Sequence, residues 1–136
     1  MVRVALGILA LVGLQVGLWA AFAPRSFYDD FPGSGRVWVA VDGPYNEHLV
    51  RDVGALNLAL AVVAIVAFVT LSRAAILAAG GAWLAYGVPH LVYHLRHLEP
   101  YEGADTFALP FTLGLNVVVA GLVLWTAWRN PGEAFS

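Results

Sequence analysis

Apolar residues fill four long blocks of this chain, separated by short polar stretches. The first runs from Val4 to Phe22, broken only by Gln15 and glycines. The second, Val53 to Leu71, has Asn57 as its one strongly polar residue. The third runs from Ala74 to about Leu95, and the fourth, Phe107 to Trp128, contains Asn116. A helix needs roughly 20 mostly apolar residues, rising about 1.5 Å each, to cross the hydrocarbon core. The pattern therefore predicts an all-α membrane protein of a single domain, residues 1–136, with four spans at about 4–22, 44–71, 74–98 and 107–128.

The first block also has signal-peptide features: Arg3 precedes it, and Ala21-Phe22-Ala23 has a small-x-small form. Its apolar run exceeds the ~7–15 residues of a signal core, and Pro24 would directly follow the cut, so a retained helix is expected. Ser72-Arg73 leaves room only for a tight turn between the second and third spans. The link from Glu99 to Thr106 is short too. An up-down-up-down bundle follows, with one long extracytoplasmic loop, Ala23 to about Gly43, between the first two spans. Asp42-Gly43-Pro44 reads as a helix start with proline at the first position. Val37–Val41 is apolar and β-prone, and a lone strand in lipid would leave its backbone unpaired, so it is expected to roof the bundle.

Composition agrees: 60% hydrophobic and 12% charged residues, against about 25% charged in soluble domains. No cysteine is present, which removes disulfides, thiolate metal sites and cysteine nucleophiles. The net charge of −2 and the lack of any basic block give no footprint for nucleic acid. All seven basic residues are arginine. Arg3, Arg73 and Arg129 lie at the tight-turn side and Arg25, Arg36, Arg51 and Arg96 at the other, so the positive-inside rule is nearly indifferent by count; the tiny loops of the first side, each with an arginine at the membrane edge, lead to the expectation that both termini are cytoplasmic.

Three of the four histidines gather in "GVPHLVYHLRHL", residues 87–98. On a helix His90, His94 and His97 fall within about 60° of one another. Pro89 would free the carbonyl of Ala85 and kink the helix. Folding the second and third spans at Ser72-Arg73 brings His48 level with His97, Asp52 with Tyr93 and His94, and Asn57 with Val88 and Pro89. Polar groups then stack in two layers: Gln15, Asn57 and Asn116 near the midplane, with His48, His90, His94, His97, Glu47, Arg51 and Asp52 at the outer rim. Buried polar groups in lipid face the bundle interior or a wet cavity. An outward-opening polar cavity, with Tyr86 and Tyr93 beside it, is the expectation.

Several functions fit this cluster. A metal ion or haem is one: two histidines at i, i+4 share an ion readily, and His48 opposite His94 or His97 offers an axial pair. A small lipophilic ligand is another. A third is a small membrane enzyme with His94 and Asp52 as an acid–base pair. A non-catalytic accessory subunit of a larger membrane complex, or a homo-oligomer, is a fourth, with Gly13-x-x-x-Gly17 as a close-contact motif. Against all of these, the histidines simply cap a helix end and bond to Glu47, Asp52 and backbone carbonyls. No H-E-x-x-H or E-x-x-H pattern singles out a chemistry. Glu47–Arg51 and His48–Asp52 also read as i, i+4 pairs on one exposed turn.

The words "FYDDFPG", "VDGPYNEHLVRDVGALNLAL" and "VPHLVYHL" resemble a group of small four-helix integral membrane proteins of actinobacteria, with a layout similar to DoxX-like proteins. The resemblance implies the fold class and a bacterial cytoplasmic-membrane location, and transfers no catalytic residue.

Overall fold

The computed structural model describes residues 1–129; residues 130–136 of the expected domain lie outside the described ones. The described chain is all-helical apart from one short ribbon. Helix α1 spans Val2–Phe22, and a one-turn-longer-than-a-cap helix α2 spans Pro24–Asp30. Strands β1 (Pro32–Gly33) and β2 (Arg36–Val37) pair antiparallel. Helices α3 (Glu47–Thr70), α4 (Arg73–Arg96) and α5 (Asp105–Arg129) complete the fold. Helices α1, α3, α4 and α5, of 21, 24, 24 and 25 residues, are long and apolar enough to cross a membrane. Val4, Leu11, Val69, Phe111 and Leu122 are among the apolar side chains turned outward, as lipid-facing positions require.

Caps set the helix ends. The Asn46 side chain accepts from Leu49 N at 3.1 Å, satisfying one of the free amides at the start of α3. The helix therefore begins at Glu47, not at the expected Pro44. Residues 40–43 are held elsewhere, the Tyr28 hydroxyl donating to the carbonyl of Gly43 at 2.6 Å. Leu71 in the left-handed region (φ 49°) and Ser72, which accepts from Ala75 N at 3.2 Å, close the turn into α4. Arg51 donates to the carbonyl of Ala21 and Arg73 to that of Ala127. Both place a cation on the carbonyl end of a neighbouring helix, where the dipole favours it.

Small residues decide which helices touch backbone to backbone. A Cβ on Gly13 would lie 2.9 Å from the carbonyl oxygen of Asn57, and one on Gly17 would lie 2.8 Å from the Leu58 side chain. Gly54 faces the backbone of Ala20 and Ala21, and Gly7 faces Phe68. Partners descend along α3 as α1 ascends, so the two helices are antiparallel. The Gly13-x-x-x-Gly17 motif is thus spent within the chain. Gly80 abuts Leu124, and Gly87 abuts Val117, giving a second antiparallel pair, α4 with α5. Helices α3 and α4 meet through side chains instead: Trp83 donates its indole N–H to the Leu60 carbonyl at 3.3 Å, and Asn57 reaches the Tyr86 hydroxyl at 3.4 Å. The register differs by two residues from the expected pairing of Asn57 with Val88. The core of Leu6, Leu9, Leu60, Ala64, Ile76 and Val123 fills the end nearest the 71–72 turn. The opposite end is hollow.

Candidate functional site: a roofed cavity between the helices

The segment from Phe31 to Asp42 folds back over the hollow end. Trp38 N donates to the Phe31 carbonyl at 2.7 Å, and the Trp38 ring sits buried with Tyr101 and Leu109. Phe31 packs edge-on against both Trp19 and Trp38. Arg36 clamps the ribbon to the first turn of α5 through Asp105 at 2.6 Å. This pair is partly exposed, so it contributes no more than about 1 kcal/mol. Its role is local. Arg36→Ala is expected to leave global stability within that margin but to speed amide exchange across residues 36–42, measured by hydrogen–deuterium exchange in lipid nanodiscs.

Beneath the roof lies a cavity of about 470 Å³. Helix α1 contributes Val12, Gln15 and Val16, and α3 contributes Val50, Val53 and Asn57. Helix α4 presents Trp83, Tyr86, His90 and His94, and α5 presents Thr112, Leu113 and Asn116. Phe31, Trp38 and Asp42 come from the roof. Six of the expected polar residues, Gln15, Asn57, Tyr86, His90, His94 and Asn116, therefore meet around one space. Asn57 and His94 are buried, at 2% and 8% exposure.

The remaining expected residues stand apart. His48 bonds to Asp52 at 3.3 Å and Glu47 to Arg51 at 2.9 Å, on an exposed turn of α3 that does not line the cavity. His97 is not on the helical stripe. Helix α4 ends at Arg96, and the C-cap geometry of His97 (φ −133°, ψ 62°) turns it onto Tyr93, where Nδ1 lies 2.8 Å from the Tyr93 carbonyl oxygen. The Tyr93 and His97 rings stack at 4.3 Å, and Tyr93 is exposed.

These placements correct two expectations. Among the described residues, no three of His, Asp and Glu gather as a metal-ion site. Helix α3 contributes no histidine to the cavity, so His94 has no imidazole facing it from that helix as a haem partner. Nor does a hydrogen bond or ion pair join His94 to Asp52. The carboxylate on the cavity is Asp42, which sequence reasoning took for a helix-start residue. The signal was a lone acid closing the apolar run Val37–Val41.

Hydrogen-bond accounting orients His94. The Tyr101 hydroxyl donates to the Trp38 carbonyl at 3.0 Å, which uses its one proton. Its contact with His94 Nδ1 at 3.5 Å must then be one in which the imidazole donates. In that tautomer Nε2 is the acceptor. Burial first, and the negative charge of Asp42 second, push the Tyr101 phenol well above its ordinary range, so it stays a donor.

A second, open groove lies outside, between α3 and α4, lined by Leu56, Leu60, Ala82, Ala85 and Pro89. Helix α4 continues through Pro89, and Ala85 is the residue whose carbonyl the proline leaves without its usual partner. Tyr86 and His90, stacked with ring centroids 5.2 Å apart, line both groove and cavity. They form the partition between the two spaces. Comparison of the chain with known protein families, curated proteins and solved structures returned no match.

Proposed function

We propose that this is a multi-pass protein of a bacterial cytoplasmic membrane that binds an amphipathic small molecule in its roofed cavity. The supporting observation is the cavity itself. Its volume of about 470 Å³ falls in the range of small-molecule sites, roughly 300–1,000 Å³, and its walls combine apolar surface with a few convergent polar groups, as such sites do. The antiparallel pairing of α1 with α3 and α4 with α5 favours an up-down-up-down course. Arginines 3, 73 and 129 then share the cytoplasmic side with the termini, and the roof faces outward. The groove between α3 and α4 abuts the acyl chains in that arrangement, so the ligand reaches the cavity from the bilayer past Tyr86 and His90.

Occupying the cavity with protein tests the proposal. The double variant Val53→Phe/Leu113→Phe adds ring volume from two walls. Binding of dodecanol to the protein in nanodiscs, followed by tryptophan fluorescence against empty nanodiscs, is expected to weaken by roughly tenfold or more. Unchanged binding in a variant that melts normally would place the alcohol elsewhere.

A further inference from the structure

The charge balance of the cavity is uneven. Asp42 lines it, and among the described residues its carboxylate has neither an ion-pair partner nor a side-chain hydrogen bond. No arginine lines the cavity, and the chain has no lysine. The arginines near the roof are engaged elsewhere: Arg25 with Asp29, Arg36 with Asp105, and Arg51 with Glu47. A half-buried acid without a partner is costly, and a cation offsets that cost.

The other polar groups are mixed: the buried Trp38 indole N–H has no hydrogen-bond partner among the described residues and calls for an acceptor, such as a hydroxyl or ether oxygen on the ligand, whereas His94 and Asn57 offer acceptor atoms. Imidazole carries one acceptor nitrogen when neutral, and in the tautomer that donates Nδ1–H to Tyr101 that acceptor is Nε2. Asn57 directs its amide nitrogen at the Val53 carbonyl and the Tyr86 hydroxyl, leaving its carbonyl oxygen as the group without a protein partner. Aromatic rings supply the third element. Phe27, Phe31, Trp38, Trp83 and Tyr86 all line the space. Ring faces attract cations, by about 2 kcal/mol or more where water is excluded.

Resting on the cavity reading above, we infer that the ligand is an organic cation: a protonated amine on an apolar body, its head at Asp42 beneath the roof. The acid neutralises the ammonium charge, His94 accepts one of its N–H bonds, and the Phe31 and Trp38 rings flank it. The apolar body occupies the space between Val16, Val53 and Leu113. A neutral head of the same size leaves Asp42 unpaired, and an anionic head meets it with like charge.

Three probes with one tail separate the charge of the head from the fit of the body. Dodecylamine, dodecanol and dodecanoate are titrated at neutral pH into the full chain in zwitterionic nanodiscs, with empty nanodiscs subtracted. Amine is expected to bind roughly tenfold more tightly than alcohol, and dodecanoate more weakly than either. In Asp42→Asn, which keeps the side-chain shape, the ratio of amine to alcohol affinity is expected to fall to about one. Equal affinity of amine and alcohol in the native protein, or an amine preference that survives Asp42→Asn, overturns the inference and leaves the cavity proposal intact. Absence of binding of all three probes to the native protein, or binding of all three that Val53→Phe/Leu113→Phe leaves unchanged, overturns both. Asp42→Glu serves as the folding-neutral check: it retains the preference if the charge is what matters.

Discussion

Gly54→Leu is expected to separate α1 from α3. The hydrogen that Gly54 presents to α1 occupies space where a Cβ would lie 2.8 Å from the Ala21 Cα and closer still to its amide nitrogen. That neighbour is backbone and cannot rotate away. Inserting carbon into a packed interface costs about 1–3 kcal/mol where side chains can yield. Here the helices themselves must part, and the expected loss is at least about 3 kcal/mol. Without a hydrophobic force between helices in lipid, close packing is most of what holds this pair. Reversible unfolding in mixed detergent micelles reads the loss, together with a broadened size-exclusion profile. Gly81→Ala is the control. A Cβ there meets nothing within 4 Å, and replacing a mid-helix glycine gains roughly 0.5–1 kcal/mol. A Gly54→Leu protein as stable as the native one would mean that α1 and α3 do not lie at this distance.

Tyr101→Phe is the second large effect. One oxygen atom links the roof to α4, donating to the Trp38 carbonyl and accepting from His94. Its removal leaves two buried polar groups without their partner, at about 1–3 kcal/mol. The variant should also lose an alkaline sensitivity. The folded protein raises the Tyr101 pKa above its ordinary 10.0, because burial and then Asp42 disfavour the phenolate. A raised folded-state value means that the stabilisation is complete below the unfolded pKa and declines as pH rises through the folded one. Native protein should therefore lose stability above pH ~10, where the unfolded phenol ionises. Tyr101→Phe should show a flatter slope across the same range. Denaturation midpoints at a series of alkaline pH values check both signs. Equal slopes would show that the phenol is not buried against the roof.

The four spans were legible because apolar length is a strong, local signal. The inner polar layer was legible in part: Asn57 interrupts an apolar helix and is buried, Asn116 is half-buried, and Gln15 borders the cavity while remaining exposed. The rim was harder, for a geometric reason. Folding a hairpin on paper gives the height of each residue but not the direction it faces. Asp52 lies two residues from Val50 and two from Gly54, both on the inner side of α3. Two residues are about 200° of rotation, so Asp52 points outward with His48 whatever its height. His97 failed for a second reason: the stripe presumed a helix that stops one residue earlier. Asp42, marked in the sequence only as a lone acid after an apolar run, and Trp38 could not be placed at the site, because the loop carrying them has no period. Their positions depend on contacts with Tyr101 and Phe31, distant in the chain or set by a turn.

The tight glycine contacts have a mechanical consequence. Helices α1 and α3 are locked nearly backbone to backbone, as are α4 and α5 around Gly80, whereas α3 and α4 touch through the tips of Trp83, Asn57 and Tyr86. The molecule is therefore stiff within each half and compliant between them. Any widening of the cavity would therefore open at that seam, with the Leu71–Ser72 turn holding one end and the Arg36–Asp105 pair, between the roof and α5, bridging the two halves at the other.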